Sequence, residues 1–204
     1  MLTIVCGWYT PDYQHWVDRL RINLDNIDVK HDFVEVEKKE GGWEVNTNQK
    51  PSQIIAALKR HPDKRIIFID VDCVVLGTKE QLITMANISG DIGVHFRSRF
   101  RKYARGNKLH PRTGTMVFKS SEVTLRFLET WKHLSENAPL YTSDQAAFAV
   151  AMGRCPGVSL TVLDENMVSI PADKNPNPLI LHDRGRTDVK KHWIVKAMIR
   201  AITR

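Results

Sequence analysis

Cysteine is scarce in this chain. Three residues in 204, Cys6, Cys73 and Cys155, lie too far apart to form a Cys-x-x-Cys pair. That spacing excludes a cysteine-built zinc module, and an odd count within apolar segments predicts reduced, mostly buried thiols in a reducing compartment. Long apolar runs are missing too, since none approaches the ~20 residues of a membrane span. The opening Met1-Leu-Thr-Ile-Val-Cys6 is too short for a signal-peptide core and lacks a basic leader, so it predicts a first strand. There is no internal repeat and no low-complexity linker.

What is present suits one domain with a substantial core. Hydrophobic residues make up 42% and charged residues 26%, ordinary values for a globular protein. Thirty basic residues against 23 acidic ones give a formal charge of +7, which favours anionic partners: nucleotides, nucleic acid or an acidic membrane surface.

Along the chain, strand and helix patterns alternate. Leu2 to Gly7 predicts a buried strand, and Asp12 to Leu24 carries helical spacing at Tyr13, Trp16, Val17, Leu20 and Leu24. Asp32 to Glu37 predicts a second strand and Gly41 to Asn46 a loop. Pro51 suits the first turn of a helix over Ser52 to Arg60. Further helices are expected over Lys79 to Ala86, Ser120 to Glu136 and Ala146 to Met152, the last preceded by the capping-box spacing Thr142-Ser-Asp-Gln145. Strands are expected over Asp91 to Phe96, Thr115 to Phe118, Val158 to Leu163 and Leu179 to Leu181. This alternation predicts an α/β fold with a mixed sheet.

The most informative stretch is Arg65-Ile-Ile-Phe-Ile-Asp-Val-Asp72. In an extended backbone Asp70 and Asp72 share a face while Val71 points back into the protein. Two carboxylates ending a buried strand are costly unless paired with positive charge, and a divalent cation such as magnesium or manganese suits their oxygens.

Together with this stretch, an ordered set of segments resembles the nucleotide-sugar-dependent glycosyltransferases of the GT-A fold. The set comprises Trp8-Tyr-Thr10, Trp43-x-x-Asn46-x-x-x-Lys50-Pro51, Ile69-Asp-x-Asp72, Thr113-Gly-Thr115, Ser143-Asp-Gln145 and Leu181-His182. Each segment alone is weak, but their order and spacing over most of the chain are fairly specific. The resemblance, to small bacterial retaining members, implies a Rossmann-like mixed sheet flanked by helices in a single domain. It implies transfer of a sugar from a UDP- or GDP-sugar to a saccharide or lipid-linked acceptor, with Mn2+ or Mg2+ as cofactor. Asp72 and His182 would bind the metal, and Asp70 would contact the ribose or the metal's shell. Tyr9, Thr10, Lys50, Gly114 and Thr115 would line the donor site, Gly114 by permitting close backbone approach to the sugar. Tyr13 is an alternative to Tyr9 as a stacking ring, although core packing competes for Trp8 and Tyr13. Asp144 and Gln145 would sit at the reacting sugar, the aspartate on its hydroxyls and the glutamine near the anomeric carbon.

Other features have competing explanations. His15, His31, His61, His95, His110, His133 and His192 show no pairing that suggests a site. Arg97 to Arg105, with Phe100 and Tyr103, suits a flap over the diphosphate, an RNA-binding face or a solvated loop. Two aromatics alone do not make a nucleic-acid module, so nucleic acid is disfavoured. Residues 188–204 separate Trp193, Ile194 and Met198 from Lys190, Lys191 and Lys196 on a helical pattern. The pattern predicts a basic amphipathic helix beyond a catalytic domain of residues 1–187, suited to an anionic membrane surface or to packing on the domain. The location expected is cytoplasmic with peripheral membrane association. The rival enzyme class is a haloacid dehalogenase-type phosphatase, with Asp70 as nucleophile and Asp164-Glu165 as its late acidic pair. A non-enzymatic RNA- or membrane-binding module is the other alternative, and it leaves the two aspartates unexplained.

Overall fold

A computed structural model describes residues 2–99, 108–138, 143–170, 175 and 177–182. The apolar runs become strands at the centre: β1 (Thr3–Tyr9), β2 (His31–Glu35), β3 (Arg65–Ile69), β4 (Cys73–Val75), β5 (Ile92–Arg99), β6 (Lys108–Phe118), β7 (Leu160–Leu163), β8 (Val168–Ser169) and β9 (Ile180–His182). Six of them form one sheet in the order β2-β1-β3-β6-β5-β7, and the other three form a small sheet, β4-β9-β8. The large sheet is mixed. β1 runs parallel to β2 and β3, whereas β6 is antiparallel to both β3 and β5.

Alternation along the strands divides the core into two layers. Val5, Tyr9, Ile67 and Ile69 face one cluster with Val17, Leu20 and Leu24 of α1 (Gln14–Asp25) and Leu82, Met85 and Ala86 of α4 (Lys79–Ala86). Ile4, Cys6, Ile66 and Phe68 face the other. There they meet α3 (Lys50–Arg60), α5 (Glu122–Glu136) and α6 (Asp144–Arg154). Trp131 and Phe148 pack edge to face at 5.0 Å and lock α5 to α6. Both sheet faces are thereby covered by helices.

The helix starts follow the side chains available. Thr78 and Gln81 form a reciprocal capping box on α4, and Ser121 caps α5. Ser143 caps α6, accepting from the Ala146 N–H, so Ser143 does the work expected of Thr142, which lies outside the described residues.

Several expectations change. Residues 41–46, expected as a loop, lead into α2 (Trp43–Thr47), a short helix with Asn46 at its heart. The Asn46 side chain accepts from Lys39 N and donates to Lys39 O and Gly42 O, closing the preceding loop onto the helix. β6 is longer than Thr115 to Phe118 because it pairs with β5 back to Lys108, across an irregularity at Val94/His95. The strand expected over Leu179 to Leu181 becomes β9, which joins the small sheet rather than the large one. Residues 100–107, most of the expected basic flap, and the tail 188–204 lie outside the described residues. Among the described residues no helix is long and apolar enough to cross a membrane.

Candidate active site

Asp70 and Asp72 do not sit on an extended strand. β3 ends at Ile69, and a turn follows in which Cys73 N donates to Asp70 O at 3.0 Å. Asp70 N donates to Gly114 O at 2.8 Å, holding the turn against β6. The turn, rather than strand alternation, aims both carboxylates into one cleft, and the half of the prediction that placed Val71 inward holds at 5% exposure.

The small sheet supplies the distant partner. β9 pairs antiparallel with β4 so that His182 stands opposite Cys73. His182 Nε2 then lies 3.1 Å from Asp72 Oδ1 and 4.0 Å from Asp70 Oδ2. Burial pulls the imidazole toward neutrality, but Asp72 and Asp70 together hold His182 above its ordinary range. Gly114 lies directly beneath the ring. A Cβ there would come within 2.3 Å of His182 Nδ1 and 3.2 Å of Asp70 Oδ2. Gly114 thus clears space for the imidazole. The expected close approach to a sugar is not needed to explain it.

Lys50 is the buried centre of the site. Its Nζ lies 2.9 Å from Asp70 Oδ1, 3.1 Å from Asp144 Oδ2 and 3.1 Å from the Thr113 carbonyl. Burial alone would lower the ammonium's pKa, but Asp144 and Asp70 together hold it above the ordinary lysine range. Asp70 is raised above the usual carboxylate range by burial first, while Lys50 and His182 pull against that rise. Asp144 also accepts from Thr113 Oγ1 at 2.6 Å, and its own carbonyl accepts from Trp131 Nε1 at 3.0 Å. Among the described residues, three carboxylates therefore face one lysine and one histidine, an arrangement that leaves room for a cation.

The cleft itself encloses about 720 Å³, open solvent at its mouth included. The end of β1 contributes Trp8, Tyr9 and Thr10, followed by Tyr13, and α2 contributes Trp43, Asn46 and Thr47. Gln145 lines it beside Asp144. Thr10 Oγ1 donates to Asp12 Oδ1 at 2.6 Å, and Lys38 holds the same carboxylate from outside at 2.7 Å. The Tyr13 phenol is pushed above its ordinary range by burial, then by Asp72.

Of the residues expected at the site, Tyr9, Thr10, Lys50, Asp70, Asp72, Asp144, Gln145 and His182 line this cleft. Thr115 does not. It is 1% exposed under the floor, its hydroxyl 3.8 Å from Cys73 Sγ, because it pairs with Ile69 inside the sheet. Trp43 and Thr47 are not among the expected site residues, although Trp43 opens the Trp43-x-x-Asn46-x-x-x-Lys50 segment, and the helix that carries them stands where a loop is expected. Cys73 lies close to Asp72 and His182, but burial raises its thiol well above the ordinary range, so it stays protonated. The pair a phosphatase would need is elsewhere: Asp164 accepts from Asn166 N and Met167 N in a turn, and neither it nor Glu165 lines the cleft. Among the histidines whose spacing shows no pairing that suggests a site, His61 Nε2 meets Asp32 Oδ2 at 2.8 Å and His31 Nε2 meets Asp25 Oδ1 at 3.0 Å.

No protein-family model matches the chain, and no curated protein matches it by sequence. Its fold does have solved counterparts. A glycosyltransferase involved in the glycosylation of the major capsid of PBCV-1 superposes with a TM-score of 0.69 at 14% identity, over 100% of this chain and 99% of that one. The galactosyltransferase LgtC, solved with donor and acceptor sugar analogues, gives 0.64 at 10% identity, over 98% of this chain and 95% of that one. The glycosyltransferase GlyE of Streptococcus pneumoniae TIGR4 gives 0.61 at 10% identity, over 100% of this chain and 61% of that one. The likeness establishes a GT-A type fold, a mixed sheet flanked by helices in a single domain.

Proposed function

We propose that the chain is a metal-dependent glycosyltransferase that moves a sugar from a UDP- or GDP-sugar to a saccharide acceptor, with retention at the anomeric carbon. One observation carries this: Lys50, Asp70, Asp72, Asp144, Gln145 and His182 converge on a single cleft in a fold shared with solved glycosyltransferases. LgtC and GlyE are sugar-transferring enzymes by description, and a glutamine-to-glutamate active-site mutant of LgtC has been solved as well.

The donor set fits a divalent cation. Asp72 Oδ1 and His182 Nε2 stand 3.1 Å apart with Asp70 alongside, and the surrounding carboxylates outnumber the fixed cations. Carboxylate oxygens suit Mg2+ and Mn2+, and the imidazole favours manganese of the two. When bound, the cation would stabilise the charge on the departing nucleotide diphosphate.

The chain's own groups do the remaining work. Asp70, anchored by Lys50, faces the ribose. Tyr9, Thr10 and Tyr13 at the end of β1 receive the nucleotide, with an aromatic face for the base. Asp144 is fixed by Lys50 and Thr113, so its remaining lone pairs can accept from donor-sugar hydroxyls without reorganising. Gln145, one position further along α6, places a neutral amide near the anomeric carbon. The acceptor is a saccharide, free or lipid-linked, and residues 188–204 would hold the enzyme against an anionic membrane surface.

Thermal shift tests the donor site. Mn2+ with UDP or GDP should raise the melting temperature, and Asp72→Ala should abolish that rise. No response in the wild-type chain to any nucleotide–metal combination would overturn the proposal. A panel of nucleotide sugars assayed by hydrolysis identifies the donor, and NMR of the product decides retention, an inverted anomer ruling it out. Co-sedimentation with anionic vesicles, compared for the full chain and one ending at residue 187, tests the membrane role.

A further inference from the structure

Away from the cleft, three elements bring a second set of ligand-type side chains together. Cys6 of β1 and Asp32 of β2 are register partners on neighbouring parallel strands, so their side chains leave the sheet on the same face. His61, the residue that ends α3, closes over them, with Nε2 2.8 Å from Asp32 Oδ2. The donor atoms of Cys6, Asp32 and His61 all lie within 4.8 Å of one another, and none of the three lines the cleft.

We propose that Cys6, Asp32 and His61 form a site for zinc or a similar borderline divalent ion, separate from the active site. The ligand chemistry selects that class. A thiolate, an imidazole and a carboxylate are the three zinc donors, whereas the cleft offers carboxylates and one imidazole to a harder ion. Thiolate and carboxylate together balance a doubly charged cation, with the imidazole neutral.

The surroundings fit the same role. Arg60 Nε donates to Asp32 Oδ2 at 2.8 Å. A carboxylate with two oxygens can keep that bond on one and present the other to an ion, the outer-shell arrangement that orients metal-binding carboxylates. Cys6 is fully buried, but the His61 and Asp32 side chains are 19% and 25% exposed, and β2 is an edge strand. The ion would therefore enter from the open edge and meet the thiol at the bottom.

Without an ion the Cys6 thiol is pushed up to about 12, by burial first and by Asp32 second, against Arg60 and Lys64. It is thus inert as a nucleophile, which argues against a reactive or redox-sensing cysteine. Metal binding would displace its proton, and three protein ligands leave a fourth position for water. The ion would tie β1, β2 and the end of α3 together, so its effect is on the fold.

Cobalt tests this, because only thiolate ligation gives a near-ultraviolet charge-transfer band. The full-length chain, stripped with chelator and kept reduced, is titrated with Co2+ alone. One equivalent should produce the band together with strong tetrahedral visible absorption, and Zn2+ should bleach both. The band should vanish in Cys6→Ser and His61→Ala and persist in Cys73→Ser. No band in the folded wild type overturns the site. A band that needs Cys73, or survives Cys6→Ser, does the same by moving the thiolate elsewhere. If Cys6→Ser does not fold, His61→Ala decides alone, since its ring lies toward the surface; a band retained there also overturns the site. Zn2+ should raise the melting temperature of the wild type more than that of His61→Ala, in which only the cleft can take the ion.

Discussion

Gly114 and His182 claim one volume: the imidazole stands where a Cβ on residue 114 would be, 2.3 Å from its Nδ1. Such an overlap can be relieved only by moving the ring, because Gly114 is fixed in β6 and its carbonyl accepts from Asp70 N. Gly114→Ala should therefore fold but displace His182 from Asp72. Mn2+ affinity, measured by electron paramagnetic resonance, should fall roughly 10–100-fold, the usual effect of losing a supporting residue at a metal site. Unchanged affinity would show that His182 is not a ligand.

Lys50→Met removes the lysine placed between buried Asp144 and partly buried Asp70. Leaving such charges uncompensated costs ~3–5 kcal/mol. Urea melts should register a loss of that order, and transfer should be lost with it. A variant as stable as the wild type would show that pairing with Lys50 contributes little to holding the two carboxylates.

The His182–Asp72 pair makes stability depend on pH. The folded pKa of His182 is raised above the ordinary 6.5, so the pair's contribution is complete below that value and is lost as pH rises through the folded pKa. Metal-free protein should become less stable across that window, and His182→Gln should flatten the slope. Mn2+ binding runs the other way, strengthening as the proton leaves. Urea midpoints collected across pH, with and without Mn2+, check both signs.

Trp131 couples the core to the site through its bond to the Asp144 carbonyl. Trp131→Phe keeps a ring against Phe148 but drops that bond, at ~1–3 kcal/mol for a buried unsatisfied group. Trp131→Ala should cost ~3–5 kcal/mol. Denaturant melts give both values, and a Trp131→Phe variant as stable as the wild type would mean the indole N–H contributes nothing.

Much of this molecule is legible in its sequence where the determinants are local. α4 spans Lys79–Ala86 as its pattern predicts, because Thr78 and Gln81 fix its start within four residues. The strand cores are equally plain from their apolar runs. What is not legible depends on distant partners. Asp70 to Asp72 form a turn because Gly114, far along the chain, takes the Asp70 N–H. β8 has two residues and exists only through its pairing with β9. The burial of Lys50 between carboxylates depends on β6 and α6, which supply Thr113 and Asp144. His61 has a partner only because β2 lies beside the end of α3.

The cluster of Lys50, Asp70 and Asp144 also sets a limit on how this protein can be improved. Matched apolar side chains in place of a buried ionic group are often neutral or stabilising by ~1–4 kcal/mol. A search for a more heat-resistant variant would thus be drawn to these positions first. On the function proposed here it would come away with a sturdier protein and an idle cleft, so selection for transfer and selection for endurance pull apart at Lys50.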